Sequence, residues 1–263
     1  MIKLVISDLD NTLLTHANGQ SYITEEDLRA ISKLQKQDIK LIIASGRILG
    51  FTQKLLAQYQ LSFDLIGANG ASAYIDDKII LSHHIAKDKA LLMYEYLVNK
   101  YSRILINAGG DDSVEYIYDS LSQKNSSDTS MRISLKDALL DNTIAINKIL
   151  ISNNDPLTFD HLIDDIKANF SDHFDIHQSG KVLIDITAKG VDKGKTVKEI
   201  IEHFGYRKEQ VAAIGDSPND ISMFNEANVS FAMLNGHPEV VEEADYAVES
   251  FAEAVDMIIK KDI

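Results

Sequence analysis

Cysteine is absent from all 263 residues, which excludes disulfides, a thiolate nucleophile and thiolate metal sites. Basic residues are in deficit: 26 Lys and Arg face 40 Asp and Glu, for a net charge of -14. Such a surface repels phosphate backbones and anionic membranes, so neither nucleic acid nor membrane is expected as a partner. Long apolar runs are missing too. The first stretch, MIKLVISDLD, has only a few apolar residues before its first acid. That falls far short of a signal sequence or a membrane span, and a cytoplasmic protein is the natural expectation.

Short β-rich runs alternate with helical patterns through the first half, predicting a parallel sheet covered by helices. Residues 3–7 (KLVIS) and 39–45 (IKLIIAS) are expected strands. Between them, Leu28, Ile31 and Leu34 share one face of a helix over 24–37, with Thr24 and Asp27 as its capping pattern. Residues 67–82 suggest a hairpin turning at Asp76-Asp77. The rhythm then changes. Two helix-strand-strand units follow, at 88–117 and 155–187, separated by a polar, serine-rich stretch over 120–132 that is expected to be exposed and mobile. After Lys189 the first rhythm returns, with a helix over 193–205 ended by Gly205, a strand over 210–215 and a helix over 219–227. The fold class expected is α/β, a doubly wound parallel-sheet (Rossmann-like) core of residues 1–82 and 188–263 interrupted by an inserted α+β domain, 83–187.

Ligand sites of open α/β sheets gather beyond the carboxyl ends of the strands. Four polar clusters fall there: Asp8 and Asp10, then ASGR (44–47), then Lys193 opening a helix, then GDSPND (215–220). Taken as a strand, residues 8 and 10 point to one side, and two carboxylates crowded together need a cation or a chemical task. Each cluster has a plainer alternative: an acidic loop, a helix cap at Ser45, a solvated Lys193, a local salt bridge for Arg47. Together and in this order they are specific. The pair His83-His84 is a poor metal site, since neighbouring strand residues face opposite sides.

With DLDNTLL, IIASGR, KGVDKGKTV and GDSPNDISMF on the page, the chain resembles the haloacid dehalogenase superfamily of phosphatases, in particular its Cof-like branch with a large inserted cap. Residues 235–250, NGHPEVVEEADYAVES, are similar to the family's C-terminal run. Departures are mild: Asn11 where glycine is commoner, Ser45 where threonine often stands, Pro218 where an acid is frequent. The resemblance implies that Asp8 is the nucleophile forming an aspartyl-phosphate. Asp10 would protonate the leaving oxygen and later deprotonate water. Mg²⁺ would be held by Asp8, Asp216 and the backbone carbonyl of Asp10, with Asp220 supporting as the orienter of Lys193 or of a metal-bound water. Ser45, the amide of Gly46, Lys193 and Asn219 would grip phosphate oxygens; Arg47 would serve either the site or a local pair.

The expected function is Mg²⁺-dependent hydrolysis of a small phosphorylated metabolite, with the inserted domain choosing the substrate. A phosphomutase or phosphotransferase on the same fold is the alternative. A receiver-like switch also uses aspartate, Mg²⁺ and lysine, but Asp10 argues against it, because a switch must preserve the acyl phosphate that a water-activating residue destroys. A monomer or weak homodimer is expected.

Overall fold

The computed structural model describes residues 1–17, 19–111, 114–119 and 133–260; the serine-rich stretch 120–132 lies outside the described residues. Two compact units emerge, one made of Met1–Arg47, Leu55–Ile80 and Asp192–Ile263, the other of Ile48–Lys54 and Leu81–Val191.

The first unit is built on an eight-stranded sheet. Its strands are β1 (Leu4–Asp8), β4 (Lys40–Ala44), β5 (Asp64–Gly67), β6 (Ser72–Ile75), β7 (Lys78–Ser82), β14 (Val211–Gly215), β15 (Val229–Met233) and β16 (Tyr246–Val248), in the spatial order β16-β15-β14-β1-β4-β5-β6-β7. From β16 to β5 every pairing is parallel; β6 turns antiparallel. A separate short hairpin pairs β2 (Thr15–Ala17) with β3 (Gln20–Tyr22). β1, β14 and β15 are buried at every residue, as a parallel sheet covered on both faces requires. The covering helices include α1 (Glu25–Lys36), α6 (Lys193–Phe204), α7 (Ile221–Phe224), α8 (Pro238–Glu243) and α9 (Phe251–Lys260), with α1 packed against α9. α1 begins where its capping pattern places it: the Asp27 amide donates to Thr24 Oγ1 at 3.1 Å. α6 ends at Gly205, whose left-handed φ of 64° suits glycine.

From β1 the chain proceeds to β4 on one side and, much later, to β14 on the other. The strand order therefore reverses at β1, which puts a topological switch point beyond the carboxyl ends of β1 and β14, where Asp8 and Asp216 stand.

The second unit carries a six-stranded sheet in the order β10-β9-β8-β11-β13-β12, made of β8 (Leu105–Gly109), β9 (Glu115–Asp119), β10 (Ile133–Ser134), β11 (Lys148–Ser152), β12 (Phe174–Gly180) and β13 (Leu183–Ala188). Its helices are α3 (Lys87–Lys100), α4 (Leu135–Leu140) and α5 (Pro156–Phe170), with the first six residues of α2 (Leu49–Leu56). Its core is apolar, with Met93, Leu97, Ile106, Ile149, Phe159, Ile166 and Ile184 among the residues closing it. The expected fold class is the one found. The order within the second unit is not two plain helix-strand-strand repeats, because α4 and the central strand β11 intervene.

Among the described residues, no helix is long and apolar enough to cross a membrane.

Candidate active site

The site starts where β1 stops. Asp8 is the last residue of β1 and buried, and its parallel partner across the sheet is Ala44, so Ser45 follows at the same level. Strand alternation does not position Asp10, contrary to the sequence reading, because β1 has already ended. A turn does so instead: the amides of Leu13 and Leu14 both bond back to the Leu9 carbonyl, and the Asn11 amide bonds the Leu14 carbonyl. Asn11 sits at φ 61°. That left-handed conformation is open to glycine and, among other residues, best tolerated by asparagine, which accounts for the departure at this position.

Lys193, the first residue of α6, is 1% exposed, and its ammonium donates to Asp8 Oδ1 and to Asp220 Oδ1, both at 2.6 Å. The helix start is held by Asp192, which accepts from the Lys195 amide at 2.8 Å, and by Ser222, whose hydroxyl accepts from the Gly194 amide at 3.0 Å. A side chain at Gly194 would collide with the Ser222 carbonyl, so only glycine lets α6 approach this closely.

Asp220 lies in a short 3-10 turn, Pro218–Asp220, that opens on proline, a residue pre-set for the first helical position. The helix expected over 219–227 is reduced to this turn and the four residues of α7. Asp220 Oδ2 accepts from the amides of Asp216 and Ser217, both at 2.9 Å. A Cβ at Gly215 would stand 2.5 Å from that of Asp220, so glycine before Asp216 lets the carboxylate fold back over the strand end. Asp216 itself is buried and accepts from Thr12 Oγ1 at 3.4 Å.

Asp8, Asp216 and Asp220 each offer a carboxylate oxygen within 4.8 Å of the others, the one such group of metal-ligating side chains among the described residues. Burial lifts the Asp8 carboxyl well above the ordinary carboxylate range; Lys193 pulls it down, while Asp220 and Asp216 push it further up. Burial and Asp220 raise Asp216 likewise. Lys193 is held charged despite its burial, by Asp220 and Asp8. Three buried carboxylates against one ammonium leave negative charge uncompensated, and oxygen donors of this kind fit a hard divalent cation. Asp220 already spends both oxygens on Lys193 and two amides, so Asp8 and Asp216 are the better donors.

The remaining residues form two further groups. Asp10 pairs in bidentate fashion with Arg47, from Nε to Oδ2 at 2.9 Å and from Nη2 to Oδ1 at 2.7 Å, and also takes His16 Nε2 at 3.1 Å. Partial burial raises its carboxyl, but Arg47 and His16 outweigh that and leave it below the usual range. Arg47 thus serves Asp10. In the third group the Asn219 amide donates to Asn69 Oδ1 at 3.0 Å, the atom that also confronts Gly46. Ser45 Oγ accepts from the Arg47 amide at 3.1 Å, which leaves the hydroxyl proton to donate. The loops are tied together by Asn69 N to Ser45 O and Ala68 N to Arg47 O.

A family model for haloacid dehalogenase-like hydrolases matches residues 5–258. The chain belongs to this family. It is accordingly an enzyme, and its curated relatives are phosphatases. One is a 5-amino-6-(5-phospho-D-ribitylamino)uracil phosphatase of Bacillus subtilis, 27% identical over 95% of this chain and 90% of that protein. Another is a phosphoglycolate phosphatase of Staphylothermus marinus, 27% identical over 93% of this chain and 90% of that one. Among solved structures, TM0651 from Thermotoga maritima superposes with a TM-score of 0.80 at 28% identity, covering 100% of this chain and 98% of that one.

In this hydrolase several site residues escape the sequence motifs. Thr12 touches Asp216, Ser222 clamps α6, Asn69 holds Asn219, and His16 reaches Asp10. For His16 the available signal was Asn18-Gly19, a turn dipeptide that marks a hairpin directly after the first motif. The pair His83-His84 joins no metal-ligating group among the described residues; His84 Nε2 lies 2.8 Å from Ser82 Oγ.

Proposed function

We propose that the protein is a Mg²⁺-dependent phosphatase of small phosphomonoesters that works through an aspartyl-phosphate on Asp8. The observation that carries this reading is the buried Asp8 carboxylate, fixed by Lys193 and accompanied by Asp216 at the switch point of the sheet. Asp8 attacks phosphorus, the bond to the leaving oxygen breaks, and Asp10 supplies the proton that oxygen needs. Asp10 then takes a proton from water as water attacks the acyl phosphate, releasing inorganic phosphate and restoring Asp8. Lys193, the Ser45 hydroxyl, the Gly46 amide and Asn219 neutralise or hold the phosphoryl oxygens. Arg47, exposed and tied to the anionic Asp10, is placed to exchange that partner for an anionic phosphate, which frees Asp10 to carry a proton. Asp8, Asp216 and the backbone carbonyl of Asp10 would hold Mg²⁺, which would supply the positive charge an anionic nucleophile needs to meet an anionic phosphate. The inserted unit is assigned the choice of substrate, since the four motifs recognise only phosphate.

The relatives' substrates, a phosphoribitylaminouracil and phosphoglycolate, head the panel for a phosphate-release screen in Mg²⁺ and in chelator. The mechanism is tested by intact mass after rapid quench with 4-nitrophenyl phosphate. Asp8→Asn forms no phosphoryl-enzyme and falls to background, whereas Asp10→Asn, losing about 10²- to 10⁴-fold in turnover, still phosphorylates Asp8 and accumulates the adduct. Phosphoryl-enzyme in Asp8→Asn, or full activity in excess chelator, would refute the assignment.

A further inference from the structure

His16 belongs to none of the four motifs, yet it bonds the side chain on which proton transfer depends. It stands on β2 directly across from Ser21 on β3. Its Nε2 lies 3.1 Å from Asp10 Oδ1 and its Nδ1 2.8 Å from Ser21 Oγ. A carboxylate already accepting from Arg47 can only accept again, so Nε2 carries a proton and donates; Ser21 completes the chain at the other nitrogen and fixes the ring's orientation. Both histidine and serine lie on a two-stranded ribbon outside the main sheet.

The three donors on Asp10 are not equivalent. Arg47 supplies two of them, but its guanidinium is exposed and is the group an incoming phosphate would draw away. His16 comes from the β2–β3 hairpin and is the contact left on Asp10 once Arg47 turns to phosphate. A carboxyl group must be held within a fraction of an ångström of its proton-transfer geometry to be effective. We propose that His16, oriented by Ser21, is a positioning residue for Asp10: it holds the carboxyl group for proton transfer to the leaving oxygen and from water. The proposal rests on Asp10 being the general acid and base.

The test compares an alkyl phosphomonoester turned over by the protein with 4-nitrophenyl phosphate, whose leaving group departs without a proton. The variants are His16→Ala, His16→Gln and Ser21→Ala, each alone and combined with Asp10→Asn. His16→Ala is expected to lower kcat on the alkyl substrate about 10- to 100-fold, as misplacement of a catalytic group does, with KM little changed and the single-turnover rate of 4-nitrophenolate release, which needs no proton from Asp10, nearly unaffected. Ser21→Ala should show the same pattern more weakly. Glutamine, whose amide can donate to Asp10, should restore most of the alkyl activity, and none of the changes should cost anything further in the Asp10→Asn background. A loss in the single-turnover release of 4-nitrophenolate as large as that in alkyl turnover, a loss confined to KM, or an additive loss in Asp10→Asn would overturn the role of His16. Absence of any leaving-group discrimination in Asp10→Asn itself would instead overturn the reading of Asp10, so the two failures are told apart. Because glutamine preserves size and hydrogen bonding, its behaviour decides the matter even where alanine loosens the hairpin.

Discussion

Replacing Lys193 by Met shortens the unbranched side chain by one atom and removes the one buried ammonium among three carboxylates. Two ion pairs at 2.6 Å disappear, and Asp8, Asp216 and Asp220 are left within 4.8 Å of one another. At an effective dielectric of about 20, each like-charged pair at that spacing repels by roughly 3–4 kcal/mol, so the cluster cannot stay fully ionised. It escapes by binding a proton. Protonating a carboxyl of ordinary pKa at pH 7 costs about 4 kcal/mol, since each pH unit is worth about 1.4 kcal/mol. That route caps the destabilisation near the roughly 3–5 kcal/mol seen when one partner of a buried pair is removed. The sign of the pH dependence follows from Asp8, whose carboxyl is already raised by burial in the native protein. A folded state that binds protons more tightly than the unfolded one gains stability as pH falls, and loss of Lys193 strengthens that preference. The deficit should therefore shrink to about 2 kcal/mol at pH 5.5. Urea unfolding, followed by far-ultraviolet circular dichroism because the chain has no Trp, measures it in chelator at both pH values and again in excess Mg²⁺, which should restore the variant more than the wild type. A variant within about 1 kcal/mol of wild type at pH 7, or a deficit that does not change with pH, would refute the charge argument.

Three other outcomes follow from the geometry. Gly194→Ala puts a methyl group against the Ser222 carbonyl and should cost about 1–3 kcal/mol in urea unfolding as α6 is pushed away. Calcium should support far less phosphate release than Mg²⁺ at equal saturation, since its larger, looser shell misplaces an in-line attack. In the second unit Asp165 accepts from Tyr96, Tyr101 and Lys100; burial raises its carboxyl, but these donors outweigh that and leave it below the usual range. A depressed carboxyl stabilises the fold above its unfolded value and loses that contribution as pH falls through the folded one, so Asp165→Asn should unfold more easily at pH 7 and converge on wild type only as pH falls below the ordinary carboxylate range.

The motifs were legible because the chemistry needs groups that the sheet can deliver only from strand ends, and each strand end carries its group within three residues of a continuous apolar run. Asp8, Ser45 and Asp216 needed no more than that. Lys193 and Gly194 were visible as a helix start, although the reason for the glycine lies in a carbonyl 28 residues away in sequence, at Ser222. β11 was overlooked for a similar reason. KILIS is only five residues long and follows the mixed stretch DNTIAIN; its alternation, Ile149 and Ile151 buried between half-buried neighbours, acquires meaning only when β8 and β13 pair on either side. The short helix α7 shows the opposite error, an apolar spacing that promised nine residues. There the side chain of Asp220 bonds back to the amides of Asp216 and Ser217, and that local turn takes precedence over helix propensity. Asp10 combines both cases. Its type and spacing announced a role, but the turn at Asn11 aims it, and Arg47 from the loop after β4 and His16 from β2 hold it. Of these two partners only His16, six residues from Asp10, had a local signal in the hairpin that follows the first motif; Arg47 comes 37 residues later, where no local pattern links it to Asp10.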